Sequence, residues 1–301
     1  MSVVASAPGK IVLAGEYAVL CGAPAICMAV DRRATATVGD SADGGCHLET
    51  PGLSDGDPFA IVESVCGGQR PALAIVLDTR AFSDERGKLG IGSSAALTVA
   101  LVAALARSAD VFVKAWLAHS ELQQGAGSGV DVAAAVHGGL IEFRRERRRV
   151  RPLRWPEGLC VRVLSTGVPA STREKLSRLA DTTEHASREV LATESGRVAR
   201  AWRTGSGDAV VDCYPAYVGA LRQFSVDHGL GIFDAGHDEL TDAAMADGLI
   251  YKPAGAGGGD VGVLLGRSED RLDAFVERRR DLVHGVVTCA LDPQGVRVER
   301  A

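Results

Sequence analysis

The alternation of hydrophobic and polar positions divides the chain into a strand-rich first part and a mixed second part. Short β-prone runs separated by Gly, Pro and Asp predict strands at residues 3–7, 10–14, 26–30, 34–38, 72–77 and 139–145. Helical spacing predicts helices at residues 59–66, 95–106, 111–123 and from 131 onward. Residues 39–58, rich in Gly, Asp, Ser and Pro, predict an exposed excursion.

The second part mixes helices and strands. Helical patterns cover residues 171–202, 208–228, 237–246 and 269–282. Strand patterns cover residues 160–165, 249–253, 261–265 and 286–291. This order is typical of an α+β sandwich with helices on one face. We therefore predict two α+β domains, residues 1–155 and 156–301, with a boundary near Trp155.

The predicted helix at residues 95–106 has almost no polar face and is expected to be buried. The serine loop before it (residues 90–94, Gly-Ile-Gly-Ser-Ser) combines two glycines, which allow close backbone approach, with two hydroxyls at a helix N-terminus. Lys88 adds a cation. This pattern favours a phosphate cradle, although a capped structural helix fits the loop equally well. The loop matches neither a Walker loop nor a dinucleotide fingerprint.

Composition narrows the function classes. The 301 residues carry a net charge of −5, which argues against a nucleic-acid partner. Seven scattered cysteines lack zinc spacing and indicate reduced thiols in a cytoplasmic protein. The apolar runs are too short to cross a membrane, so no membrane partner is expected. The arginine run RRERRRVR (residues 144–151) is interpreted as a solvated edge strand and turn, with a phosphate or nucleic-acid patch as the alternative.

Three more segments could carry chemistry. Pro8 and Gly9 predict a tight turn that presents Lys10. Asp131 lies between a glycine-rich turn and an alanine-rich helix, where it can cap the helix or accept a proton from a substrate hydroxyl. Residues 252–265 (KPAGAGGGDVGVLL) are so rich in glycine that close backbone approach is required.

Three segments together resemble the motifs of the GHMP kinase superfamily (galactokinase, homoserine kinase, mevalonate kinase and phosphomevalonate kinase). APGKIVLAGEYAVL resembles motif one, KLGIGSSAALTVAL motif two and KPAGAGGGDVGVLL motif three, in the family order. Lys88, Asp260 and the segment STGVPASTREKL (residues 165–176) favour the phosphomevalonate kinase branch. Mevalonate kinases typically carry His-Gly-Asn-Pro before the catalytic motif, where this chain has Gln-Gly-Ala-Gly. They also carry a glutamate at the position of Ser120, next to Glu121.

The resemblance implies a fold, cofactors and site residues. It implies an N-terminal ribosomal-protein-S5-domain-2-like domain and a C-terminal ferredoxin-like α/β sandwich. It implies ATP and Mg²⁺ as cofactors, with Asp131, Lys10 and Lys88 catalytic and Ser94, or Ser93, near the metal. The residues implied to bind ATP are Gly90, Ile91, Gly92, Ser93, Ser94 and Ala95. The residues implied to bind substrate are Lys10, Glu16, Tyr17, Ser128, Gly129, Asp131, Ser171, Thr172, Arg173, Gly255, Ala256 and Gly257.

The implied acceptor is mevalonate 5-phosphate, a phosphorylated small alcohol that would become the diphosphate. The candidates for its phosphate contact are Arg144, Arg173, Lys175 and Lys252. His119 and His137 are interpreted as packing or surface residues. Open alternatives are a mevalonate kinase, another GHMP kinase with a different alcohol, and a non-catalytic small-molecule sensor. A monomer or homodimer is expected, with family loops shortened in this small chain.

Overall fold

The computed structural model describes residues 2–53, 57–106, 110–125, 127–170, 172–180 and 185–300. The chain forms two compact units, each assembled from separate stretches of sequence. Unit 1 contains residues 1–11, 28–139 and 290–301, and unit 2 contains residues 12–27 and 140–289. This division differs from the single predicted boundary near Trp155, because the first two long strands each begin in one unit and end in the other.

The elements are of the predicted mixed α+β class. The strands are β1 (Val3–Ala14), β2 (Ala25–Asp40), β3 (His47–Glu49), β4 (Leu73–Asp78), β5 (Ser83–Asp84), β6 (Gly87–Lys88), β7 (Leu140–Arg144), β8 (Arg149–Leu153), β9 (Cys160–Ser165), β10 (Ile250–Pro253), β11 (Val261–Gly266), β12 (Gly285–Val286) and β13 (Arg297–Arg300). The α-helices are α1 (Phe59–Val65), α2 (Ser93–Leu105), α3 (Val111–Leu122), α4 (Val130–His137), α5 (Thr172–Ala180), α6 (Ala186–Thr204), α7 (Gly207–Asp227), α8 (His237–Ala246) and α9 (Glu269–Arg278).

Unit 1 is built on a sheet with the strand order β13, β1, β2, β4, β3. β13 runs antiparallel to β1, and β3 runs parallel to β4. The four short strands predicted before residue 40 join into β1 and β2. The predicted turn at Pro8 and Gly9 is wrong, because both residues lie inside β1. A Cβ on Gly9 would come within 2.7 Å of the Ile91 carbonyl oxygen, so this glycine allows close packing rather than a turn.

Helix α2 confirms the prediction of a buried apolar helix. Its residues from Ala95 to Ala104 are all buried, and it packs against α1, α3 and α4. A helix that is hydrophobic on all sides reaches this state only inside a core. Because α2 begins at Ser93, the serine loop leads directly into its first turn.

Unit 2 is built on an antiparallel sheet with the strand order β10, β11, β9, β12. Helices α8 and α9 contribute to its core through Leu240 and Phe275, which pack with Tyr251 and Leu264 of the sheet. Helices α6 and α7 pack against each other. This sheet holds the residues of motif three at the end of β10 and the start of β11.

Two predictions for the second part need correction. The helix predicted over residues 171–202 is divided into α5 and α6, with residues 181–184 outside the described part. The strand predicted over residues 286–291 shortens to β12, and the unpredicted strand β13 pairs with β1. Among the described residues, none of the helices combines the length and the apolar character needed to span a bilayer.

Candidate functional site

The serine loop forms an open helix N-terminus in unit 1. Gly92 is the N-cap residue of α2, with φ of 88°, and no side chain caps the helix there. Ser93 is buried, whereas Ser94 is exposed in the first turn. The first amides of a helix have no partner within it and carry the positive end of the helix dipole. This end of α2 can therefore bind an anion.

The Lys10 side chain crosses the serine loop. Its backbone N–H donates to the Ile91 carbonyl oxygen at 2.8 Å. A Cβ on Gly92 would lie 3.0 Å from Cγ and 3.1 Å from Cε of Lys10, so glycine leaves room for the lysine stem. Within the described part of the chain, Lys10 has no ion pair with a carboxylate. Its ammonium group is thus available to neutralise charge at the loop.

Lys88 approaches the same loop from a hairpin. It pairs with Ser83 across β5 and β6, and its side chain is exposed. Lys88, Ser93 and Thr79 line one small pocket. The structure therefore brings together both predicted lysines and the residues predicted to bind ATP, from Gly90 to Ala95.

Asp131 lies in the first turn of α4, a helix that packs against α2 and α3. Its Oδ1 accepts from the Val132 N–H at 3.0 Å. His119 of α3 is buried, and its Nδ1 lies 3.8 Å from Oδ2 of Asp131. The carboxylate keeps 19% exposure, so a substrate hydroxyl can reach it.

The position of His119 beside Asp131 is a feature that the sequence interpretation missed. The sequence alone predicts only a packing or surface role for this histidine. A signal was available, because Ala115, Ala118 and His119 form the buried face of α3 at helical spacing. His137, at the end of α4, has its pKa lowered by burial.

Ser128 and Gly129 shape the turn before Asp131. The Val130 N–H donates to Oγ of Ser128 at 3.4 Å. Gly129 has φ of 79°, and a Cβ there would come within 2.9 Å of the Trp116 indole. Gly129 is therefore required for packing against Trp116, and its predicted substrate contact stays a prediction.

Glu16 forms a buried cluster in unit 2. Its Oε1 accepts from Nζ of Lys252 at 2.5 Å, and its Oε2 accepts from the Tyr217 hydroxyl. The Lys252 side chain is fully buried, at 0% exposure. Lys252, one of the four candidates for the acceptor phosphate, is paired with Glu16 inside unit 2 instead. Glu16, predicted to bind substrate, has both carboxylate oxygens occupied by protein donors instead.

Tyr17, also predicted to bind substrate, holds motif three. Its hydroxyl donates to the Ala256 carbonyl oxygen at 2.6 Å, and burial raises its pKa. Its φ of 58° is unusual for a residue with a side chain. Tyr17 therefore fixes the backbone of Ala256 from within unit 2.

The glycine loop (residues 255–259) is enclosed by other parts of unit 2. The Gly258 N–H donates to the Ile232 carbonyl oxygen at 2.7 Å, and a Cβ on Gly257 would come within 2.5 Å of the Ile232 side chain. Nε2 of the buried His237 lies 3.0 Å from the Gly259 carbonyl oxygen. A carbonyl oxygen only accepts, so Nε2 carries the hydrogen. Gly255 and Ala256 begin this loop.

The Tyr251 hydroxyl and burial together keep the His237 ring neutral. With its hydrogen on Nε2, the neutral ring accepts at Nδ1 from the Tyr251 hydroxyl, 2.8 Å away. Burial lowers the pKa of His237 to about 4. The imidazole is therefore neutral at physiological pH and acts as a fixed donor to the glycine loop.

The remaining predicted residues lie near the start of α5. Thr172 begins this helix, while Ser171 and the side chain of Arg173 lie outside the described part. Nζ of Lys175 donates to the carbonyl oxygens of Leu230 and Gly231, and burial lowers its pKa. Arg144 contacts Glu142 at 3.4 Å. Lys175 and Arg144 thus already have protein partners.

Comparison with known proteins identifies similar kinases. The model of the GHMP kinases N terminal domain matches residues 77–139. A phosphomevalonate kinase from Streptomyces sp. (strain CL190) is 32% identical over 366 residues, covering 97% of this chain and 97% of that protein. That alignment is longer than this chain, so the relative carries insertions that this chain lacks.

Two further similarities cover most of the chain. A mevalonate kinase from Thermococcus gammatolerans (strain DSM 15229 / JCM 11827 / EJ3) is 30% identical over 297 residues, covering 86% of this chain and 87% of that protein. The structure of Streptococcus pneumoniae phosphomevalonate kinase in complex with phosphomevalonate and AMPPNP superimposes with a TM-score of 0.79 at 18% identity, covering 96% of this chain and 99% of that one. This structural similarity confirms the fold predicted from the motifs.

Proposed function

Because this chain belongs to the GHMP kinase family, a family of phosphotransferases that use ATP, we propose that it phosphorylates mevalonate 5-phosphate to the diphosphate. The observation that best supports phosphoryl transfer from ATP is the serine loop, an uncapped helix N-terminus crossed by the Lys10 side chain. The choice of acceptor is supported by the similarity of nearly the whole chain to a phosphomevalonate kinase.

In the proposed reaction, the first-turn amides of α2 and the hydroxyls of Ser93 and Ser94 bind the ATP phosphates. Phosphoryl transfer depends mainly on positioning and on stabilising negative charge. Lys10 and Lys88 place positive charge beside the transferred group. Asp131 accepts the proton of the acceptor hydroxyl, and buried His119 limits the orientations of the Asp131 carboxylate.

The residues of unit 1 also fit a Mg²⁺ ion that binds together with ATP. The exposed Ser94 hydroxyl is the protein ligand we assign to it. In the described residues, no group of three His, Cys, Asp or Glu side chains could hold a metal ion. Mg²⁺ keeps several of its waters and binds substrate phosphates, so it does not need a dedicated cage of protein ligands. When bound, the ion neutralises phosphate charge during transfer.

The acceptor phosphate needs a cation in addition to those at the serine loop. Of the four candidates, Lys175, Lys252 and Arg144 already contact oxygen atoms of the protein. We assign this contact to Arg173 because it belongs to the segment that resembles phosphomevalonate kinases. Thr172 and Ser171 complete the acceptor side of the proposal.

An ADP-release assay tests the proposal directly. The acceptors are mevalonate, mevalonate 5-phosphate, mevalonate 5-diphosphate, homoserine and simple sugars, each with Mg-ATP. We expect turnover with mevalonate 5-phosphate and a diphosphate product detected by mass spectrometry. Turnover only with another acceptor would reject this substrate, and ATP binding without any turnover would favour a sensor.

Mevalonate kinase is the second candidate function. The similarity to the Thermococcus gammatolerans enzyme over 86% of this chain favours it. The sequence before Asp131 argues against it, because Gln-Gly-Ala-Gly replaces the His-Gly-Asn-Pro of mevalonate kinases. Activity with unphosphorylated mevalonate alone would establish this candidate in the same assay.

A further inference from the structure

The arginine run of residues 144–151 folds into the β7–β8 hairpin of unit 2. In the register of this hairpin, Glu142 lies opposite Arg151, and Arg144 lies opposite Arg149. Side chains two residues apart along a strand point to the same face. These four side chains therefore share one face, where two arginines are directly opposed.

Most of the charge on this face is not neutralised by carboxylates. The Glu142 carboxylate is buried and forms two hydrogen bonds with Arg203 of α6, at 2.6 and 2.9 Å. Its 3.4 Å contact with Arg144 uses the same carboxylate. Within the described residues, Arg149 and Arg151 have no carboxylate partner. Opposed like charges destabilise a strand pair, so this arrangement costs folding free energy.

The hairpin, Gly22 and Arg203 of α6 line an open pocket of about 330 Å³. Five arginines line it, against two glutamates, although the whole chain has a net charge of −5. The arginines are Arg144, Arg147, Arg149, Arg151 and Arg203. The second glutamate, Glu146, lies against Gly22, where a Cβ would come within 2.6 Å of its Oε1. Positive charge is therefore concentrated in a concave surface.

We propose that this arginine pocket binds a small anion with two or more phosphate groups. Guanidinium groups bind phosphate oxygens through paired hydrogen bonds, and several around one cavity favour a multiply charged ligand. A small anion fits this concave shape better than an extended nucleic-acid backbone does. None of the lining residues belongs to the serine loop or is among those proposed to bind ATP.

Calorimetric titration of the full chain with inorganic tripolyphosphate tests this site. Arg149→Gln combined with Arg151→Gln should weaken tripolyphosphate binding at least tenfold. The matched control is Arg154→Gln, which removes an exposed charge outside the pocket and should leave binding unchanged. A Lys10→Gln, Lys88→Gln double variant removes the cations of the serine loop and should retain binding at the arginine pocket.

Each alternative gives a different result. If Arg154→Gln weakened tripolyphosphate binding as much as the double variant does, the attraction would be spread over the surface, and the proposed pocket would be rejected. Loss only in the Lys10→Gln, Lys88→Gln variant would place the ligand at the serine loop. Equal affinity for orthophosphate would reject the requirement for two phosphates, and preferred binding of a single-stranded RNA would indicate a nucleic-acid surface. Thermal unfolding of each variant verifies its folding. No arm depends on kinase turnover, so the result is independent of the proposed function.

Discussion

The serine loop and the glycine loop look alike in sequence but have different surroundings. Both contain glycines with positive φ, including Gly92 at 88° and Gly257 at 70°. In the serine loop, the space beside Gly92 holds the stem of one lysine, and Ser94 is exposed. In the glycine loop, the space beside Gly257 is filled by the backbone and side chain of Ile232.

This difference separates two uses of glycine. In the serine loop, glycine leaves room for the Lys10 stem beside the N-terminus of α2, and this combination suits an external anion. In the glycine loop, glycine lets other segments of unit 2 pack closely, and Tyr17 and His237 fix the carbonyl oxygens. Substitutions near the serine loop should therefore change catalysis first, and those near the glycine loop should change stability first.

Asp131→Asn is expected to have the largest effect on activity. Removing the proton acceptor should lower kcat by about 10²–10⁴-fold. Binding of a non-hydrolysable ATP analogue, measured by calorimetry, should persist because the serine loop is unchanged. Asp270→Asn, at an exposed carboxylate of α9, is the control and should retain normal kcat. Near-normal kcat in the Asp131→Asn variant would contradict the assignment of the base.

Lys252→Met is expected to have the largest effect on stability. It leaves the Glu16 carboxylate buried without its cation, and breaking a buried ion pair costs about 3–5 kcal/mol. Urea unfolding should show this loss in the free energy of unfolding. Adding Glu16→Gln should recover part of it, because the unpaired charge disappears. A double variant as unstable as the single one would mean that packing, rather than charge, dominates the cluster.

The sequence predicts local structure well where the pattern is contained within one element. The bounds of β9 and α8 match their predicted ranges, since uninterrupted apolar or amphipathic patterns define them. The open end of α2 follows from Gly-Ser-Ser before an apolar run. The Glu16–Lys252 pair spans 236 residues and has no local signal. Lysine is rarely fully buried unless it is paired, so the local sequence favours an accessible Lys252 that could contact a phosphate.

The next prediction compares the two loops through alanine substitution. Gly92→Ala adds a side chain in the left-handed backbone region, which costs about 1–2 kcal/mol of stability. The added Cβ also pushes on the flexible Lys10 stem, so KM for ATP should rise. Gly257→Ala adds the same penalty plus a clash with the Ile232 backbone, about 1–3 kcal/mol more. Kinetics and urea unfolding measure the two effects.

Gly205→Ala isolates the backbone penalty in this comparison. Gly205 has φ of 74°, and no atom lies within 4 Å of a Cβ built there. Its loss of stability should therefore fall below that of Gly257→Ala. If Gly92→Ala destabilised the protein more than Gly257→Ala and left KM unchanged, the two loops would not differ as the structure indicates.

The last prediction concerns pH and the glycine loop. Burial lowers the pKa of His237 from 6.5 to about 4, despite its hydrogen bond to Gly259. Above pH 6.5 the ring is neutral in the folded and unfolded states, and its contribution to stability is fully present. As the pH falls from 6.5 towards 4, the unfolded state gains a proton that the folded state excludes, so stability is lost.

Between pH 7 and pH 5, His237 should account for about 2 kcal/mol of this loss. Urea unfolding at both pH values measures it against His237→Gln, which lacks the titrating group and should lose about 2 kcal/mol less over the same interval. An identical pH dependence in His237→Gln and the parent protein would show that the imidazole is not held neutral against the Gly259 carbonyl. The glycine loop would then keep its shape without a fixed hydrogen-bond donor at His237.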